Sequence, residues 1–329
     1  MATQQTSAAG DAHGGTDTSP ERWVVGVDGS PGARAALVWA LAAAARAGAR
    51  LELVSTYPAD FYWTDPYLLD TVRLDEIRAD TAGLVRAALA EARRDPALAA
   101  VPGAAEVPTD VVVGGGAAAA QLVEQAQGAQ RLVVGSRGRS GVRSTLLGSV
   151  ALHCVAHAPC PVVVVHPGAV QPPPRVVVGI DDTDVSREAL REAAEEARRL
   201  GAELEVVAAC PLEVVWSNIY SVVAPPAEET RARARERAEI VVAEVLGADA
   251  PVRLRVEDGE PAEALPRVAA GAVLLVVGSR SRSRIAGMLL GSVALHCVVH
   301  APCPVMVVHP QPARAAGRPA ADPAAAAAR

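Results

Sequence analysis

The sequence contains no lysine; all 31 of its Lys and Arg residues are arginine. That excludes the P-loop NTPases and protein kinases, which hold phosphate with a lysine. It also excludes Schiff-base aldolases and pyridoxal enzymes, whose chemistry starts at a lysine amine. Cysteine is scarce. Cys154, Cys160, Cys210, Cys297 and Cys303 form no C-x-x-C pair, and their odd number reads as free buried thiols rather than a disulfide frame. Aromatic residues make up only 3% of the chain, so alanine carries much of the 50% apolar content. The longest unbroken apolar run, Ala35–Ala45, falls far short of the roughly 18–20 residues that a membrane span needs. No Lys or Arg precedes Arg22 and no apolar leader region follows Met1, so no secretory signal is expected and a cytoplasmic location is. A net charge of −6 argues against a general nucleic-acid binder.

What is present is one unit written twice. Residues 146–167 (LLGSVALHCVAHAPCPVVVVHP) and 289–310 (LLGSVALHCVVHAPCPVMVVHP) agree at 20 of 22 positions. WVVGVDGS at Trp23–Ser30 answers VVVGIDDT at Val176–Thr183. With 329 residues, the repeat predicts two domains, 21–168 and 175–310, joined by a stiff proline-rich linker at 169–174. The ends, 1–20 and 311–329, are low in complexity and read as disordered tails.

Each copy alternates strand and helix. In the first, short valine- and leucine-rich runs at Arg22–Val27, Leu51–Tyr57, Thr109–Val113, Leu132–Val134 and Val162–His166 read as strands. Alanine-rich Ala33–Ala47 and Ala118–Gln127 read as helices. The second copy repeats the strands at Arg175–Ile180, Glu203–Ala208, Val252–Val256, Leu274–Val277 and Val305–His309, and Arg231–Leu246 reads as a helix with a solvated face. Near-continuous apolar strands linked by helices predict an α/β fold of two tandem Rossmann-like domains, each a five-stranded parallel sheet flanked by helices.

In such a sheet ligands sit beyond the carboxyl ends of the strands, where the winding direction changes. Strand four of the first copy ends in Gly135-Ser136-Arg137-Gly138, and nine residues later Gly148-Ser149 opens a helix. Glycines there permit positive φ and let backbone N–H groups approach a ligand. The helix start favours an anion, Ser149 adds a hydroxyl, and Arg137, Arg139 and Arg143 add charge. Asp28, ending strand one, is placed to accept from ribose hydroxyls or to hold a metal.

The G-x2-G-x9-G-S spacing, the opening VVGVDGS and the closing HAPCPVVVV resemble the universal stress protein family, over about residues 22–310. The resemblance implies a tandem member that binds ATP with Mg2+. It would place Val27 and Asp28 on the adenosine, and Val134 and Thr56 beside the base. Gly135, Gly138, Gly148, Ser149 and Val150 would wrap ribose and phosphates. It also implies that the two copies pack as a pseudo-dimer and act as a nucleotide-dependent stress-response regulator with a protein partner, a homodimer of whole chains being left open.

The second copy departs from the pattern. It retains Asp181, Gly278, Gly291 and Ser292 but carries Ser281 where the second glycine belongs, and Asp182 follows Asp181. If that glycine position needs positive φ, the serine costs about 1 kcal/mol. Two adjacent carboxylates would also repel a polyphosphate. Site one is therefore expected to bind more strongly than site two.

Blander readings compete. His153, His157 and Cys160, repeated as His296, His300 and Cys303, have helical spacing for zinc but lack a fourth ligand, so packing is favoured and no metal site is expected. The arginine runs at 137–143 and 279–284 read as solvated flanks of the phosphate loops. Tyr57, Phe61, Tyr62, Trp63 and Tyr67 read as a loop folded back on its own domain. No G-x-S-x-G, H-E-x-x-H or equivalent catalytic pattern occurs, so no catalytic residue is assigned. A slow ATPase or autophosphorylating protein and a nucleotide-free interaction scaffold remain the alternatives.

Overall fold

The computed structural model describes residues 20–57, 71–138, 147–166, 174–210, 216–217, 221–222, 227–280 and 290–310. Both predicted tails therefore lie almost wholly outside the described residues, as do Phe61, Tyr62, Trp63, Tyr67, Arg139, Arg143, Ser281 and nearly all of the linker.

The first domain runs β1 (Arg22–Gly26), α1 (Pro31–Ala47), β2 (Arg50–Tyr57), α2 (Thr71–Ala92), β3 (Thr109–Gly115), α3 (Ala118–Gln125), β4 (Arg131–Gly135), α4 (Ser149–His157) and β5 (Val162–Val165). The second runs β6 (Arg175–Ile180), α5 (Asp184–Leu200), β7 (Glu203–Cys210), a small hairpin β8 (Trp216–Ser217) and β9 (Ser221–Val222), α6 (Ala227–Leu246), β10 (Val252–Asp258), α7 (Pro261–Val268), β11 (Leu274–Gly278), α8 (Ser292–His300) and β12 (Val305–Val308). The fold class is the expected one, and all ten strands read from the sequence are present. Helix α2 and the hairpin were not anticipated. Tyr57 is the buried last residue of β2, as the strand reading Leu51–Tyr57 had it, and its hydroxyl accepts from Arg78 Nε at 3.2 Å.

Local chemistry sets the helix ends. Ser30 Oγ accepts from Ala33 N to cap α1, and Thr183 Oγ1 accepts from Ser186 N to cap α5. Each cap is worth about 1 kcal/mol. Gly48 and Gly201 then stop the two helices in the left-handed conformation that glycine adopts without penalty.

The strand order β10-β7-β6-β11-β12-β5-β4-β1-β2-β3 makes one ten-stranded sheet. Within each half every pairing is parallel; β5 and β12 join the halves antiparallel, with Val163 opposite Met306. Alternate side chains feed two cores. Trp23, Val25 and Val133 point to the layer of α1, α2, α5 and α6, while Val24, Leu132 and Val134 point to the layer of α3, α4, α7 and α8. In each half the chain lays down β1–β3 in one direction and then crosses to β4 on the other side of β1. The switch point therefore lies between the carboxyl ends of β1 and β4, and between β6 and β11 in the second half.

Candidate functional site

At the first switch point lies a cleft of about 380 Å³. Val27, Asp28, Thr56, Val134, Gly135, Arg137, Gly138, Gly148, Ser149 and Val150, the ten positions singled out in the first copy, all line it. Its floor is apolar, from buried Val27, Val54, Leu122 and Val134, while Arg137, Gly138 and Ser149 are exposed at the mouth. Asp28 supplies the one carboxylate among the described lining residues, which include no histidine or cysteine. Its Oδ1 accepts from Ser30 N at 2.9 Å, so the turn entering α1 fixes the carboxylate.

The loop after β4 is clipped at both ends. Ser136 N donates to Val165 O at 3.0 Å, and Gly148 N donates to Ser136 O at 2.8 Å. The second clip brings the N-terminus of α4 to the end of β4, with the unsatisfied N–H groups of its first turn beside Arg137.

The glycines act differently from expectation. None of Gly135, Gly138 and Gly148 takes a positive φ. What they provide is room. A Cβ on Gly135 would lie 2.4 Å from the carbonyl carbon of Gly32, and one on Gly32 would lie 2.2 Å from Arg137 O. One on Gly138 would stand 2.9 Å from Asp28 Oδ2. The β4 loop therefore presses directly on the first turn of α1, and Ser30 Oγ adds a bond to Arg137 O at 3.3 Å.

Sequence reasoning missed Gly32 for want of a motif, yet the repeat held the signal: its counterpart in the second copy is Val185. It also missed Ser55 and the Gly116–Ala118 turn, which complete the wall opposite the glycine loop.

The second switch point holds a cleft of about 90 Å³. Asp181, Gly278 and Gly291 line it, together with Arg280 and Val293; Ser292, the first residue of α8, is not among its lining residues. Ser281 lies outside the described residues, so the expected φ penalty has no structural counterpart here. The smaller space has visible causes. Ile180 replaces Val27, and Val185 Cγ1 sits 2.9 Å from where a Cβ on Gly278 would stand, while Ala209 in place of Thr56 removes a hydroxyl. Asp181 is drawn into its own turn, accepting from both Thr183 N and Thr183 Oγ1.

The histidine and cysteine repeats pack rather than converge. His153 stacks on His157 with ring centroids 4.2 Å apart, and His296 on His300 at 4.1 Å. Among the described residues no group of three or more His, Cys, Asp or Glu side chains is placed to hold a metal. Cys154, Cys160, Cys297 and Cys303 are buried, and loss of solvent pushes each thiol up to about 12. Among the described residues no helix is long and apolar enough to cross a membrane.

Fold and cleft together define a doubly wound α/β domain with a cleft at its switch point, used twice and joined edge to edge. The chain belongs to the universal stress protein family, whose model matches residues 21–166 and again 174–309. Universal stress protein Rv2005c of Mycobacterium tuberculosis H37Rv is 35% identical over 295 residues, spanning 84% of this chain and 93% of its own length. Universal stress protein Rv2623 of the same organism is 32% identical over 303 residues, spanning 86% and 95%. The crystal structure of a universal stress protein from Archaeoglobus fulgidus DSM 4304 superposes with a TM-score of 0.61 at 20% identity, covering 88% of this chain and 98% of that one, which supports the fold.

Proposed function

We propose that the first cleft binds ATP and that the chain is a nucleotide-dependent stress-response regulator, with the second site weaker or vacant. The observation that carries this reading is the inequality of the two clefts. About 380 Å³ falls within the roughly 300–1,000 Å³ of ordinary small-molecule sites, and about 90 Å³ falls well below it.

The chemistry of the lining supports a nucleotide. A flat apolar base fits against Val27, Val54 and Val134, and the Asp28 carboxylate accepts from ribose hydroxyls. The exposed mouth offers the start of α4, the Ser149 hydroxyl and the Arg137 guanidinium to phosphates. With one carboxylate in the cleft and no metal cluster among the described residues, Mg2+ would arrive on the triphosphate rather than reside in the protein.

Among the described lining residues Asp28 is the one carboxylate and there is no histidine or cysteine, which favours a sensor over an enzyme. The test is to denature the purified protein and quantify released nucleotide per chain, before and after incubation with excess Mg-ATP. About one ATP per chain supports the reading. About two overturns the inequality of the sites, and none after incubation removes the nucleotide and leaves a scaffold.

A further inference from the structure

The join between the two domains poses a question of identity. The strands that meet there, β5 (VVVV) and β12 (VMVV), are nearly the same sequence and pair antiparallel, Val162 to Val307 and Val164 to Val305. Helices α4 and α8 beside them come from the same repeated 22-residue segment. An antiparallel edge of this kind serves β5 against β5, or β12 against β12, as well as β5 against β12. The apolar seam thus gives no reason for the first domain to choose the second over another copy of itself.

The choice is made on the opposite face of the sheet. Arg131, the first residue of β4, has its side chain 4% exposed and ion-pairs across the join with Glu196 of α5 at 2.6 Å. It also donates to Glu192 Oε2 of α5 at 3.1 Å, and its guanidinium lies 4.7 Å from the Trp23 ring centroid. Glu196, 2% exposed, is also paired with Arg199 at 3.3 Å. Arg199 in turn reaches back across the join to Glu21 at 2.9 Å, and Glu21 accepts from Trp23 Nε1 at 3.0 Å.

Apart from Arg199, whose counterpart is Arg46, this is not repeated on the other side of the join. The counterpart of Arg131 is Leu274 and that of Trp23 is Val176. Helices α1 and α5 are both 17 residues long, and the α1 positions matching Glu192 and Glu196 are Trp39 and Ala43. The first domain therefore contributes Arg131 and Glu21, and the second contributes Glu192, Glu196 and Arg199.

We propose that this one-sided charge cluster is a pairing code that makes each domain select its unlike partner. In a pair of first domains Arg131 would be buried against Ala43 and Trp39 without a carboxylate. In a pair of second domains Glu196 would meet Leu274, lose Arg131 and keep only Arg199 of its own helix. A buried charge that loses its partner is strongly disfavoured, whereas an apolar replacement of the whole pair is tolerated. The cluster thus works chiefly by excluding wrong pairs.

The test uses the full chain carrying a protease site in the 169–174 linker, cleaved after folding. Cleaved heavy-isotope and light protein are mixed in sub-denaturing urea until the labels exchange, and pairs are read by native mass spectrometry. Wild type is expected to exchange into unlike pairs only. The Arg131→Leu/Glu196→Ala variant, which gives each position its counterpart's residue, is expected to yield like pairs approaching half of the total. Like pairs in wild type at that share would overturn the proposal, as would a folded variant confined to unlike pairs. The wild-type arm decides the matter even if the variant does not fold.

Discussion

His309, just beyond the last strand, holds its Nε2 2.8 Å from the carbonyl oxygen of Val155, in a helix of the other domain. The first turn of that helix, α4, lines the larger cleft, so one nine-residue rod touches both the candidate ligand site and the second domain. His166 approaches the backbone of Val298 in the reciprocal way, more loosely, since its Nε2 lacks a partner in hydrogen-bond geometry.

A pH dependence follows. Burial holds both imidazoles below their ordinary range, with Arg137 adding to the effect at His166 and Arg280 at His309. His309 Nδ1 is buried without a partner in hydrogen-bond geometry; the Val155 and Cys160 backbone favour the charged ring, and loss of solvent outweighs them. In the unfolded chain these histidines take up protons as pH falls below about 6.5, while the folded chain does not. The stabilisation is thus complete above that range and is lost progressively below it. Urea midpoints should fall from pH 7 to pH 5, and His309→Gln, which keeps a donor but cannot titrate, should flatten the fall. An unchanged slope in the variant would show that His309 plays no part.

The repeat and the ten strands were legible because each is carried by residue type at fixed spacing, whereas Val27, Thr56, Val134 and Val150, which share the cleft with the glycines, came from the family resemblance. Unequal sites were expected from Ser281 in place of the second glycine and from the adjacent Asp181 and Asp182; the structure adds a further difference, Gly32 against Val185, where the β4 loop meets α1. Close approach has no local sequence signature, because it is a property of two segments 100 residues apart. Helix α2 went unread because its apolar stripe is broken, with Leu84 exposed and only Val85, Leu89 and Ala92 buried on its inner face. The partnership of Arg131 with Glu196 was invisible for a related reason: a lone arginine opening a strand looks like a solvated end until the other domain covers it.

The thiols offer a simple check of burial. With Cys154, Cys160, Cys297 and Cys303 pushed up to about 12, these four hold almost no thiolate near neutrality, and Cys210 is buried as well. Native protein at pH 8 should react with an aromatic disulfide reagent at least 100-fold more slowly than a free thiol, and all five should react at once on unfolding. Fast labelling of even one equivalent in the native state would contradict the packing at that cysteine.

Gly32 can be tested by giving it the residue of its counterpart. Gly32→Val puts a Cβ where Arg137 O now stands, 2.2 Å away, and backbone must move on one side or the other. A destabilisation of about 1–3 kcal/mol is expected, together with loss of bound nucleotide as the glycine loop lifts from α1. Gly138→Ala meets only the carboxylate tip of Asp28, so it should reduce affinity while leaving the unfolding midpoint within a few degrees of wild type. Equal effects of the two on stability would argue against the loop–helix contact as the element that shapes the cleft.

The two aspartates separate the sites most directly. Asp28 lines the larger cleft with its carboxylate steadied by Ser30 N, whereas Asp181 is held by two bonds from Thr183 beside a cleft about a quarter the size. Removing a carboxylate that accepts from ribose hydroxyls should weaken binding roughly 10–100-fold, the value of a hydrogen bond to a charged group. Asp28→Ala should therefore abolish most of the calorimetric ATP signal of the full chain, and Asp181→Ala should leave both stoichiometry and affinity as they are. If Asp181→Ala instead removes half of the bound nucleotide, the smaller cleft opens on binding and the two copies are functional equals. If Asp28→Ala changes nothing, the ribose does not sit at the end of β1, and the orientation argued for the nucleotide must be reversed.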